Sequence, residues 1–246
     1  MTCCATNPAA VMVAQTLLAI VAVYVLAILW RGRTFRVRLP TRSGSGPAKR
    51  MTAWAVGLAV SFGLPALIGL VLLGQNLLAA AQPAAIALVP DDWPRLPIAP
   101  LILGMTLGTL ANAAITHALW RRGRRAFQIG TFPDVLPKTR EDILPAIALA
   151  ISAGISEELF FRLFLPLLIA LVSGSALAGT IIAALCFGGV HRYQGWRGVV
   201  ATTLSGVALF VLYGLTNSVW MAIAFHIAID VNALVVRPMA RGAWRA

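Results

Sequence analysis

Glu157, Glu158 and Arg162 lie inside one of the most apolar stretches of the chain; Phe187 and His191 follow, then His226 and Asp230. The pairs Glu158/Arg162, Phe187/His191 and His226/Asp230 are each spaced i, i+4, which puts both members on one face of a helix. A charged side chain at the centre of a membrane span costs roughly 2.5–3.5 kcal/mol on insertion scales and marks a functional site by default. Glu158 and Arg162 can satisfy one another within their own helix. Glu157 stands about 100° further round that helix, has no local partner and is free for chemistry. Asp230 can orient His226 and leave its other ring nitrogen for work.

Glu, His, His and Asp presented by three helices to a shared interior suit hydrolysis. A carboxylate in apolar surroundings can take a proton from water near neutral pH. Histidines can relay that proton, or donate to the oxyanion that develops on a peptide carbonyl. Glu157, His191 and His226 could also hold zinc with an open position for water. The helix-borne HExxH spacing is absent, so no metal or other cofactor is favoured.

The elements that must carry these residues are membrane helices. The 246 residues are 59% hydrophobic and only 11% charged, and the long apolar runs lack the alternation of a barrel strand. The predicted fold is all-α, a polytopic transmembrane bundle of about seven spans, at 10–30, 52–74, 98–119, 145–171, 175–191, 199–215 and 217–236. Three regions follow: an N-terminal transmembrane region (1–142), a core holding the chemistry (143–236) and a basic tail (237–246). All but two of the 20 Lys and Arg fall in loops or tails on one side of these spans. The exceptions are Arg95, in an outer loop beside Asp91 and Asp92, and Arg162. By the positive-inside rule that side is cytoplasmic, with the N-terminus outside and the C-terminus inside. The net charge of +12 is thus topological and gives no reason to expect nucleic acid, although anionic lipid is a possible contact.

Trp30, Trp54, Trp120 and Trp220 fall near span ends and read as interfacial anchors, as does His117. Asp142 is placed to cap the fourth helix. Asn112 and Asn217 read as packing or capping residues, and Gly174, Gly179, Gly188 and Gly189 as sites of close helix approach. Cys3, Cys4 and Cys186 show no metal or disulfide pattern, and the first span lacks the basic start of a cleaved signal, so it is expected to be retained. The depths conflict: Glu157 is about 18 Å into its helix, whereas His191 lies at the cytoplasmic edge. Either the fifth helix extends past Tyr193, or the fourth starts outside the membrane and tilts, with Pro166 able to bend it.

EExxxR (Glu157, Glu158, Arg162), FxxxH (Phe187, His191) and HxxxD (His226, Asp230), in this order on successive apolar helices, resemble the CPBP family of intramembrane proteases. That family includes the type II CAAX prenyl endopeptidases and the bacterial Abi proteins. The resemblance covers residues 143–236. It implies a glutamate-dependent peptidase with a cytoplasm-accessible cavity, in which Glu157 activates water with His191. His226 and residue 230 would form the oxyanion site, supported by Glu158, Arg162 and Phe187. Members have also been described as metalloproteases. The third motif most often ends in Asn, and here it ends in Asp230. An ionised aspartate cannot donate to an oxyanion, so Asp230 is protonated, orients His226 or ligates a cation.

The leading expectation is therefore an integral, multi-pass endopeptidase acting on membrane-associated or lipidated peptides, in the plasma (inner) membrane if the host is bacterial. The alternatives are a non-catalytic scaffold that binds a partner through the same polar network, and a proton-coupled carrier. The carrier is disfavoured by the lack of an inverted repeat.

Overall fold

A computed structural model describes residues 8–31, 46–75, 93–124 and 136–242. Cys3, Cys4, the basic residues of 32–45, the outer loop at 76–92 with Asp91 and Asp92, Arg125 and Arg245 lie outside them. The described residues form helices and no strand. We number them α1 (Pro8–Arg31), α2 (Pro47–Leu72), α3 (Ile98–Arg121), α4 (143–173), α5 (Ala176–Val190, continued by a 3-10 turn at His191–Gln194), α6 (Trp196–Thr216) and α7 (Val219–Ala240). Among the described residues, six helices, all but α4, are long and apolar enough to cross a membrane. The protein is an integral, multi-pass membrane protein.

The bundle is built around α4. From Ser156 to Ala170 every residue of that helix is buried, the signature of a helix surrounded on all sides. α2 lies parallel beside it: the Ser152 hydroxyl donates to the Ala55 carbonyl at 2.6 Å, and further along Gly69 leaves room only for the Phe164 ring. At their shared start, Asp142 accepts from the backbone N–H groups of Lys138 (2.8 Å) and Thr139 (3.0 Å) in a capping box with Thr139. A further backbone bond reaches it from Ala48 at the start of α2. One carboxylate thus serves two helix N-termini. Burial pushes the Asp142 carboxyl up, but the Lys138 and Thr139 N–H groups, the Thr139 hydroxyl and the Ala48 N–H outweigh it and hold it below the usual carboxylate range.

The prolines explain the irregularities. Pro8, Pro47, Pro100 and Pro145 sit in first turns, where the missing N–H is harmless. Pro65, Pro166 and Pro238 each come two residues after a π turn, at Ala59–Gly63, Leu159–Phe164 and Asn232–Val236. A mid-helix proline cannot bond back and its ring collides with the preceding turn; the wider turn absorbs both faults. Pro166, expected to bend α4, thus acts through a local widening.

α5 and α6 form a hairpin whose glycines permit contact, Gly188 against Thr203 and Val199, while Gly179 meets the Pro166 backbone and Gly189 meets Leu29. Gly174 differs from this expectation. It has nothing near its absent Cβ and ends α4 at φ +73°, a left-handed position. Asn217 caps α6 in the same conformation, at φ 53°. α3 buries a single residue, Thr116, and is held mainly by its ends. Arg95 donates to the Gly214 carbonyl at 2.6 Å and Leu96 N–H to the Leu215 carbonyl at 2.9 Å. At the other end His117 Nδ1 lies 3.0 Å from the Ala240 carbonyl, which can only accept, so the ring donates.

Candidate active site

The depth conflict resolves in favour of a deep elbow between α5 and α6. Tyr193, in the 3-10 turn that follows His191, packs its ring against Trp54 at 5.6 Å. Trp54 is two turns into α2, so α2 and α4 project past the elbow by about 10 Å at the helical rise. The fourth helix therefore starts beyond the elbow, and His191 reaches the level of Glu157. Trp54 is half-buried, with its ring against Tyr193. Trp30, Trp120 and Trp220 are exposed.

Glu157 is the penultimate residue of the α-helical part of α4, which ends at Glu158 before the π turn begins at Leu159. Its Oε2 lies 3.8 Å from His191 Nε2 and 3.7 Å from His226 Nε2, and this buried oxygen has no hydrogen-bond partner among the described residues. Both rings are held from behind. His191 Nδ1 lies 2.7 Å from the Phe187 carbonyl, an acceptor only, so Nδ1 carries the proton and Nε2 faces Glu157. The FxxxH spacing thus works through the backbone oxygen of Phe187 as well as its ring, which packs edge-on at 4.7 Å from His191 and 5.9 Å from His226.

His226 is fixed differently from the sequence expectation. Its Nδ1 donates to Glu158 Oε1 at 2.6 Å, so Glu158 orients the ring. Asp230 approaches the opposite nitrogen, Nε2, at 3.8 Å, with its side chain 30% exposed. Glu158 thereby does two tasks, because its other oxygen lies 3.0 Å from Arg162 Nε. Glu158 therefore meets both Arg162, as the spacing predicts, and His226, for which the spacing had offered Asp230.

Arg162 is completely buried. Its guanidinium lies over Phe187 at 4.1 Å and within 5.7 Å of Phe210, aromatic faces that suit a desolvated cation. Gly206 keeps this space open, since a Cβ there would come 3.0 Å from Phe187 and 3.7 Å from Arg162. Phe160 and Phe161 from the π turn pack on Phe62 of α2, closing the apolar floor.

All seven residues singled out from the sequence, Glu157, Glu158, Arg162, Phe187, His191, His226 and Asp230, therefore converge. Sequence reasoning missed Tyr193 and Gln194, adjacent to His191, and Trp54. Of these, only Trp54 carried a signal, as an aromatic near a span end, and it pointed to lipid. Among the described residues, no three His, Cys, Asp or Glu are arranged to hold a metal ion.

Residues 139–232 match a family model described as type II CAAX prenyl endopeptidase Rce1-like. No curated protein and no solved structure matches the chain. The matched segment spans every residue of the site except those contributed by α2, and over that segment the chain is similar to the CPBP (CAAX protease) family of membrane proteins.

Proposed function

We propose that the protein is an intramembrane endopeptidase in which Glu157 is the general base toward water. The observation that carries this reading is the unpartnered Glu157 Oε2, set 3.7–3.8 Å from the Nε2 atoms of two histidines whose Nδ1 atoms are engaged elsewhere. Those separations are too long for direct hydrogen bonds and suit a bridging water. The family match over residues 139–232 supports intramembrane proteolysis as the activity class.

Water held between Glu157 and His191 gives a proton to Glu157 as its oxygen attacks the peptide carbonyl carbon. The carbonyl π pair moves onto oxygen, and the resulting oxyanion is met by His226, donating from Nε2 when that nitrogen is protonated. The proton on Glu157 then passes to the amide nitrogen, the C–N bond breaks, and the carbonyl re-forms as a carboxylic acid. Substrates would be membrane-associated or lipid-modified peptides, entering from the side onto which α2 and α4 project. The reaction is written without a metal. If zinc were bound, Glu157, His191 and His226 would be its ligands, and zinc content with activity after chelation separates the two schemes.

The test compares peptide termini in membranes containing the wild-type protein or Glu157→Gln. We expect a set of termini made by the wild type and lowered at least 10²-fold by the variant, with both proteins inserted and equally stable. Equal termini in the two membranes would overturn the proposal and favour a partner-binding scaffold.

A further inference from the structure

We infer that the Tyr193 hydroxyl is a further catalytic group, donating to the oxyanion in the position that Asp230 as a carboxylate cannot serve. This rests on the hydrolytic reading above and extends it to a residue outside the three motifs.

Two carboxylates, Glu157 and Asp230, approach the same Nε2 of His226, at 3.7 and 3.8 Å. An ionised carboxylate only accepts, so this side of the site holds acceptors where a developing oxyanion needs donors. Tyr193 supplies one. Its ring lies 5.8 Å from the His191 ring and is held on its other flank by Trp54. Its hydroxyl oxygen accepts from Gln194 Nε2 at 3.2 Å, which occupies the oxygen and leaves the O–H proton to be donated. Among the described residues that proton has no acceptor. The hydroxyl lies within electrostatic range of both Glu157 and Asp230.

Gln194 is itself locked. It is buried and packs so closely on Gly198 that an added Cβ would overlap its side chain. Gly195, at φ +82°, turns the chain between this clamp and α6, a conformation that only glycine adopts readily. The hydroxyl is therefore positioned before substrate arrives, as transition-state stabilisation requires. During attack the carbonyl pair moves onto oxygen and Tyr193 O–H hydrogen-bonds to it without transferring its proton. When the C–N bond breaks, the pair returns and that bond weakens.

The test follows the termini produced in membranes by wild type, Glu157→Gln, Tyr193→Phe, Asp230→Asn and the double variant Tyr193→Phe/Asp230→Asn. Tyr193→Phe keeps both ring contacts and removes the hydroxyl, which is both the proposed donor and the acceptor of Gln194 Nε2. We expect its rate to fall 10²–10³-fold, the effect of losing one oxyanion donor, with thermal unfolding lowered only by the loss of the single Gln194 hydrogen bond. The double variant, which places an amide donor at 230, should recover at least tenfold over Tyr193→Phe. Wild-type rate in Tyr193→Phe overturns the inference and leaves Glu157 as base untouched. A loss that Asp230→Asn fails to relieve also overturns it, assigning Tyr193 a packing role. Equal termini from wild type and Glu157→Gln would instead sink the hydrolytic reading, and this inference with it.

Discussion

At the scale of single residues, Glu158 links the fold to the chemistry. One oxygen meets Arg162 and the other His226, so the charge that makes a buried arginine tolerable also sets the tautomer of a site histidine. Glu158→Gln should therefore do more than slow a reaction. Leaving Arg162 buried without its counter-charge costs about 3–5 kcal/mol, seen as a large fall in unfolding temperature in detergent. Glu158→Gln/Arg162→Met, which removes both charges, should recover most of that stability but not the activity, because His226 Nδ1 then faces a neutral amide. Glu157→Gln should leave stability intact, since Glu157 Oε2 has no hydrogen bond to lose.

At the scale of helices, the π turn of α4 decides where the site points. It begins at Leu159, directly after the two glutamates, and so sets the angle between Glu157 and the Arg162–Phe187 stack. Pro166 enforces it. Pro166→Ala should allow ordinary i→i+4 bonding, rotating one half of α4 against the other. We expect cleavage to fall at least tenfold with no loss of unfolding temperature, since alanine is the better helix former. The opposite pattern, full activity with lost stability, would show the turn to be a passive defect. The start of the same helix gives a pH-dependent prediction. Asp142 is held below the usual carboxylate range, so its stabilisation is complete above about pH 4, the ordinary range of a free aspartate, and is lost as pH falls through its lower folded value. Asp142→Ala should cost about 1 kcal/mol at neutral pH, and the gap between variant and wild type should close in acid.

At the scale of the whole molecule, the side from which substrate arrives follows from the topology. Arg124, Lys138, Arg192 and Arg197 lie at one end of the bundle, with His117 and Ala240, whereas Gly74, Arg95 and Leu215 lie at the other. We propose that the basic end is cytoplasmic. In a background with Cys3, Cys4 and Cys186 changed to Ser, single cysteines at Arg124 and Arg192 should react with an impermeant thiol reagent only from the cytoplasmic face, and one at Gly74 only from outside. The reverse labelling would place the elbow and the site's approach on the outer face.

Read alone, the sequence determined the class of fold and the members of the site. Apolar runs long enough for a bilayer can only be satisfied as helices, and charges as costly as Glu157, Glu158 and Arg162 must face the interior. Spacing of i, i+4 tells which side chains share a face of one helix, which is why the three motifs were legible. It carries no information about rotation or depth between helices, and that is where tertiary structure decided. Only packing could show that His226 meets Glu158 through Nδ1 while Asp230 approaches its Nε2, that Trp54 packs on Tyr193, and that the α5–α6 elbow brings His191 to Glu157. The π turns stand between these cases. Their cause, a proline inside an apolar helix, was visible in the sequence, but a proline can kink, break or widen a helix, and the neighbours packed around it select which.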